Sequence, residues 1–389
     1  MTASPVPAPS RRFDAVGFSE IVQVRNRVMA LLAAGHKVHR FEGGEPYMAT
    51  PDAIKRSMEK ALARNQTRYA PSSGIPELRS AILEKVRSKN RIPADEEGPI
   101  VVNGGMHGLF AAFTTLLDPG DEVITFSPYW TPVVDLVTWN GGVPVLVPTE
   151  RARTRGITTA LAAALTPRAK VLYWNSPNNP TGDVFSPAEV EEVCAFVAGS
   201  GLAMISDEAY EDLIYDGTPH VSPASFPGMA ERTISVFTLS KSYSMTGWRA
   251  GYVIAPERYQ SPIRTAVLYS TNGVSTPTQW AALAAFMTSS DFIEAGRAAY
   301  RERRDLLVGG LNELDLTCVL PAGAFYAFPD VSGISSNSRE AAEILLNRAQ
   351  VATVPGSVFG PDGEGHVRFS FSTSIETIEG GLESLRRNL

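Results

Sequence analysis

Residues 202–210 read Leu202-Ala203-Met204-Ile205-Ser206-Asp207-Glu208-Ala209-Tyr210. A strand this apolar, with no polar alternation, is covered on both faces, as in parallel sheets flanked by helices. It runs straight into an acid, and ligands of open α/β sheets bind beyond such carboxyl ends. Similar short apolar, β-rich runs occur at 100–102, 122–126, 143–147, 169–174, 233–238 and 250–254. Helical spacing separates most of them, at 105–117, 130–139, 158–165 and 187–198. The alternation predicts an α/β fold built on a mostly parallel sheet. After about residue 285 the pattern changes to a long helix (291–314), short strands (316–320, 324–328, 366–371) and helices at 338–349 and 375–387. These predict a smaller α+β domain, completed by an N-terminal helix (18–34) and strand (38–42). Thr50-Pro51 marks a helix start, hydroxyl cap before first-turn proline, with the helix ending near Asn65; another covers 76–88.

The 389 residues suggest two or three domains, and 44% hydrophobic with 20% charged residues is ordinary for a soluble globular chain. No apolar run approaches the roughly 20 residues of a membrane span. A net charge of −6 without a basic domain disfavours nucleic-acid binding. Cys194 and Cys318 are far apart in apolar contexts, against a disulfide framework. The five histidines show no metal-ligand spacing, so no metal is expected. The N-terminus lacks a secretory pattern, making the cytoplasm the expected compartment. Residues 1–12, rich in Pro, Ser and Ala, read as a flexible tail.

Four segments carry chemistry. In Thr238-Leu239-Ser240-Lys241-Ser242-Tyr243-Ser244-Met245-Thr246-Gly247-Trp248-Arg249, a lysine follows a buried strand among hydroxyls, with an arginine eight positions on. Burial and the arginine disfavour its ammonium form, as a Schiff-base lysine requires. The hydroxyls and Arg249 suit a phosphate. Taken alone, Lys241 also fits a strand-end lysine snorkelling to solvent. Asp207 needs a cationic partner if buried, or else caps the next turn. The turn Asn175-Ser176-Pro177-Asn178-Asn179-Pro180-Thr181-Gly182 is either a stiffened presenter of the Asn179 amide or a plain connection. Asn103-Gly104-Gly105-Met106-His107-Gly108 places glycines at a helix N-terminus, which favours an anion, yet it matches neither the P-loop nor the dinucleotide fingerprint. Arg301, Arg303 and Arg304 read as a solvated helix face, and Arg151, Arg153 and Arg155 as a surface loop.

Together and in order, GGEP (43–46), RYAPSSGIPELR (68–79), NGGMHGL (103–109), SPYW (127–130), NSPNNPTG (175–182), SDEAY (206–210), SKSYSMTGWRAGY (240–252) and VRFSFS (367–372) resemble the class I/II aminotransferase family of fold-type I pyridoxal-phosphate enzymes. The resemblance implies a seven-stranded large domain at 47–285 and a small domain of 13–46 with 286–389. It implies pyridoxal 5'-phosphate bonded to Lys241, which also moves the substrate proton. Asp207 would pair with the pyridinium nitrogen, Asn179 and Tyr210 would bond the ring oxygen, and Trp130 would stack on the ring. Gly105, Met106, Thr238, Ser240 and Arg249 would hold the phosphate. Tyr69 would reach the neighbouring subunit's phosphate in a homodimer, Arg368 would clamp the substrate carboxylate, and Gly44 would line the substrate.

The expected activity is transfer of an amino group from an L-amino acid to a 2-oxo acid. Relatives that prefer aspartate carry a lysine where Met106 stands, so a non-acidic donor is expected. Lyases, synthases and oxidases of the same fold share most of these motifs and form the alternative. A DNA-binding regulator would need a longer, more basic N-terminus.

Overall fold

The computed structural model describes residues 6–389, so the first five residues of the expected tail lie outside the described residues. Numbered along the chain, β1 (His39–Arg40) precedes seven strands: β2 (Pro99–Val102), β3 (Glu122–Ser127), β4 (Val143–Pro148), β5 (Ala169–Asn175), β6 (Ala203–Asp207), β7 (Thr233–Thr238) and β8 (Gly251–Ile254). They form one sheet in the order β2-β8-β7-β6-β5-β3-β4. Only β8 runs antiparallel to its neighbours. The unbroken apolar runs are explained by covering on both faces. Val171 and Tyr173 of β5 pack with Ile205 of β6 under Leu109, Ala112 and Phe113 of helix Gly105–Leu116. Leu172 and Trp174 point the other way with Met204, against Val190, Val193 and Val197 of helix Pro187–Ser200. Each such aliphatic side chain contributes about 1.5–3 kcal/mol by leaving water.

Register sets the site. Asn175 is paired with Asp207 across β5 and β6, and Asp207 with Val236 on β7. The carboxyl ends of three adjacent parallel strands therefore present Asn175, Asp207 and Thr238 along one rim. A second core joins Phe41 to helices Ser290–Asn312, Ser338–Ala349 and Ile375–Asn388. It surrounds β9 (Tyr326–Ala327), β10 (Val351–Ala352), β11 (Val354–Pro355) and β12 (Val367–Ser370). β12 is central between antiparallel β11 and β9, while β1 pairs with β10 in parallel. Tyr210, Leu213 and Tyr215, which follow β6, belong to this second core and tie it to the main sheet.

Several expectations are corrected. Residues 316–320 form no strand. Arg303 and Arg304 are buried rather than solvated. Arg303 donates to the Thr373 and Ala299 carbonyls, and Arg304 pairs with Asp216 and Asp305 and stacks on Tyr215. Helical periodicity alone could not place the distant acceptors Thr373 and Asp216. The stretch read as a surface loop is helix Thr149–Arg155, and its Arg153 pairs with Asp183 and Glu189 while lying over Phe185. Thr50 does not cap helix Asp52–Ala63. Its hydroxyl donates to the Ser244 carbonyl at 2.6 Å and accepts from the Trp248 indole at 3.2 Å, tying the helix entry to the lysine loop. At the N-terminus, the tail becomes a helical turn at Arg12–Ala15, where Phe13 meets Trp139 edge-on at 5.2 Å.

Candidate active site

A cavity of about 690 Å³ opens where the carboxyl ends of β5, β6 and β7 face the second core. Gly44, Gly105, Met106, Trp130, Asn179, Asp207, Tyr210, Thr238, Ser240, Lys241, Arg249 and Arg368 all line it. Of the residues singled out in the sequence, only Tyr69 is elsewhere, 90% exposed on the surface.

Lys241 sits in the helical turn Leu239–Ser242 directly after β7. Its Nζ donates to the Gly44 carbonyl at 2.6 Å. Burial, and secondarily the charge of Arg368, pulls its pKa down to about 8. Asp207, at the end of β6, accepts from the Tyr173 hydroxyl at 2.8 Å and the Ala209 amide at 3.2 Å. Burial nevertheless pushes this carboxyl up to about 6, so two neutral donors do not replace the lost hydration. A cation beside Asp207 would restore the ionised form. Asn175 donates to the Asp207 carbonyl at 3.2 Å and accepts from the Asn179 amide at 3.1 Å, linking the acid to the proline-stiffened loop.

Arg368, on β12, is 2% exposed and has no carboxylate partner. Its Nη1 donates to Asn179 Oδ1 and its Nη2 to the Glu42 carbonyl, both at 3.0 Å, while its Nε has no partner. The guanidinium lies 4.4 Å from the centre of the Tyr326 ring and 5.0 Å from that of Phe359. A guanidinium buried at this cost and left with a free donor is prepared for a carboxylate. The hydroxyls of Tyr210 and Tyr326 share a hydrogen bond of 2.9 Å, and burial pushes both phenols up.

The anion cradle is built from three segments. Helix Gly105–Leu116 begins at Gly104, which has φ of 79° and leaves its first amides free. The φ of 79° favours glycine at 104, and its missing Cβ lets Arg249 Nη2 lie 2.6 Å from where that atom would stand. Arg249 itself holds φ of 56°, an uncommon conformation for a side-chain-bearing residue, and is anchored on the carbonyls of Thr246 and Asn103. The Thr238 hydroxyl donates to Ser240 Oγ and accepts the Ser240 amide. His107 Nδ1 accepts the Asn103 amide, which leaves Nε2 to donate to Ser270 at 2.7 Å. His107 is therefore a brace for the loop.

Sequence reasoning missed Tyr173, Asn175, Tyr326 and Glu42. A tyrosine and an asparagine near the end of an otherwise largely apolar strand were the available signal for the first two. Tyr326 and Glu42 carried none, because only tertiary folding brings them to the cavity.

A lowered lysine amine, a buried carboxylate wanting a cation, a phosphate-sized cradle and a lone buried arginine suit pyridoxal 5'-phosphate carrying an amino-acid substrate. The fold and this donor set define a fold-type I pyridoxal-phosphate enzyme. The model of the aminotransferase class I and II family matches residues 37–385, and the chain belongs to that family. It is 40% identical to an aspartate/prephenate aminotransferase of Thermus thermophilus, over 98% of each chain. To an aspartate aminotransferase of Pyrococcus abyssi it is 39% identical, again over 98% of each. Among solved structures, the Thermus thermophilus aspartate aminotransferase with maleate superposes with a TM-score of 0.94 at 40% identity, covering 99% of this chain and all of that one. An aromatic aminotransferase from Pyrococcus horikoshii gives 0.87 at 37% identity, covering 92% and 98%. The protein is a pyridoxal-phosphate-dependent transferase of amino groups between amino acids and 2-oxo acids.

Proposed function

We propose that the enzyme transfers the amino group of a neutral, apolar or aromatic L-amino acid to a 2-oxo acid through Lys241. The observation that carries the role of Lys241 is its buried amine, lowered to about 8, at the carboxyl end of β7. When bound, the cofactor ring withdraws electrons from the substrate Cα. Lys241 Nζ, with its pKa lowered to about 8, would be basic enough to take the Cα proton and would return it to the cofactor carbon that receives the amino group. Asp207 holds the ring nitrogen protonated, and Tyr173 and Ala209 keep its carboxylate oriented. Asn179 and Tyr210 would bond the ring oxygen, and Trp130 would cover the ring face. The amides of Gly105 and Met106, the hydroxyls of Thr238 and Ser240, and Arg249 hold the phosphate. Arg368 binds the α-carboxylate in a bidentate manner, and the Gly44 backbone borders the substrate.

The donor class rests on Met106, which is 39% exposed and offers the cavity a flexible apolar surface without charge. A distal carboxylate beside it would be desolvated without a partner. Several relatives are named for aspartate, and the proposed donor class differs from theirs. The cores support a small domain of 13–46 with 286–389 and a large one of 47–285. The exposure of Tyr69 supports a homodimer in which it reaches the partner's phosphate. No described helix is long and apolar enough to cross a membrane.

The test adds amino acids singly to the holoenzyme and follows the cofactor spectrum. Conversion from its aldehyde to its amine form by phenylalanine or leucine, reversed by a 2-oxo acid, is expected. Release of pyruvate or ammonia without that conversion would show elimination instead.

A further inference from the structure

Five cationic side chains line the cavity, Arg25, Arg40, Lys241, Arg249 and Arg368, against the carboxylates of Glu42, Glu45 and Asp207. Four of the five are engaged. Arg40 gives both Nε and Nη2 to Glu42, at 2.9 and 2.6 Å. Lys241 donates to Gly44, Arg249 to Thr246 and Asn103, and Arg368 to Asn179 and Glu42. Arg25 alone has no hydrogen bond or ion pair among the described residues, although it is exposed on helix Glu20–Ala33. The same helix contributes Ile21 and Val22 to the cavity wall. The helix thus brings an apolar strip and one free guanidinium to the wall.

We infer that Arg25 recognises the second carboxylate of a dicarboxylic 2-oxo acid, the amino-group acceptor; this rests on the reading of the site given above. The inner part of the cavity offers that carboxylate no partner. Arg368 is taken by the α-carboxylate, Met106 is uncharged, and Glu45, close enough to Lys241 to act on its charge, repels a second anion there. Arg25 supplies the counter-charge, and its exposed position favours a five-carbon diacid over a four-carbon one, because the longer chain spans more of the cavity. A neutral donor leaves Arg25 in water and packs its side chain against Ile21, Val22 and Met106. One cavity can then accept both partners of the exchange without moving a buried charge.

The test compares 2-oxoglutarate, oxaloacetate and pyruvate as acceptors for the holoenzyme and its Arg25→Gln and Arg25→Lys variants, with phenylalanine as common donor. Arg25→Gln should lower kcat/KM for 2-oxoglutarate at least fivefold, through KM, while pyruvate stays within twofold. Arg25→Lys should recover part of the loss, since it keeps the charge but not the planar fork. Calorimetric binding of glutarate to the holoenzyme should weaken in parallel, and high salt should narrow the difference. Equal loss for all acceptors, or none for 2-oxoglutarate, overturns the inference. Should aspartate lead among donors while Arg25→Gln still loses only the diacid acceptor, the donor reading fails and the role of Arg25 stands.

Discussion

Lys241 donates its Nζ proton to the carbonyl of Gly44, at 2.6 Å, across 197 positions of sequence. The contact pins the amine between the end of β7 and the backbone that follows Phe41 of the second core. A neutral carbonyl does not offset the desolvation of an ammonium group, so the amine titrates near 8 instead of in the usual lysine range.

Coupling of pyridoxal phosphate to the apoprotein should therefore speed up as pH rises, with a midpoint near 8. Only the neutral amine attacks a carbonyl, and its fraction grows as pH passes the folded-state pKa. N-acetyl-lysine amide, measured with the same reagent, should keep rising toward about 10.4. Arg368→Gln removes a secondary cause of the depression and should move the midpoint upward. Between these two values the unfolded chain holds a proton that the folded one lacks, so this amine makes apoprotein stability increase with pH. Lys241→Ala should abolish turnover and borohydride labelling. A midpoint at 10 or above would show that the amine is fully hydrated.

Asp207→Asn should leave the fold intact and reduce turnover by orders of magnitude, because an amide cannot keep the ring nitrogen protonated. Breaking a buried charge pair costs about 3–5 kcal/mol, so cofactor retention on dialysis should also fall. Tyr173→Phe should act in the same direction more mildly, at about 1–3 kcal/mol for one lost hydrogen bond to a buried carboxylate. Wild-type turnover by Asp207→Asn would remove the proposed role.

The main sheet was legible because each of its strands is a short apolar run with β-rich composition, and all but the edge strand β4 are largely buried. Site residues at strand ends were legible for the same reason: Asp207 and Thr238 interrupt apolar runs where the chain leaves the sheet. Arg303 and Arg304 were not, since their spacing on helix Ser290–Asn312 matches a solvated face and their acceptors come from residues 216, 321 and 373. Thr50 misled in a similar way. Its local sequence satisfies a capping rule, and the tertiary partners Ser244 and Trp248 took the hydroxyl instead. The short strands β1 and β9 to β11 carry only two residues each, too few for periodicity to register.

Tyr69 lies outside its own chain's cavity and is 90% exposed, as a residue serving a partner would be. Tyr69→Phe should weaken phosphate binding in the opposite subunit. Hybrids of Tyr69→Phe and Lys241→Ala chains should contain one doubly impaired site and one intact site, and so recover activity above either variant homodimer mixed only with itself. Hybrids with only half the activity of the Tyr69→Phe homodimer, and its weakened phosphate affinity, would exclude shared sites.

The proposed donor class rests on Met106. It stands at the second position of helix Gly105–Leu116, next to the cradle, and exposes an apolar thioether to the cavity. A carboxylate placed there loses part of its hydration and gains no partner from Met106. Half-reaction rates for phenylalanine and leucine should therefore equal or exceed the rate for aspartate in the unmodified enzyme. Met106→Lys places a cation at the same helix position and should raise kcat/KM for aspartate at least tenfold, about 1.4 kcal/mol. The phenylalanine rate should fall in the same variant, because an ammonium group replaces apolar contact. Binding of the cofactor, followed by its absorbance, should stay unchanged, which separates substrate selection from damage to the cradle. Aspartate leading phenylalanine by tenfold or more in the unmodified enzyme would show that another group receives the distal carboxylate and that Met106 only packs beneath it.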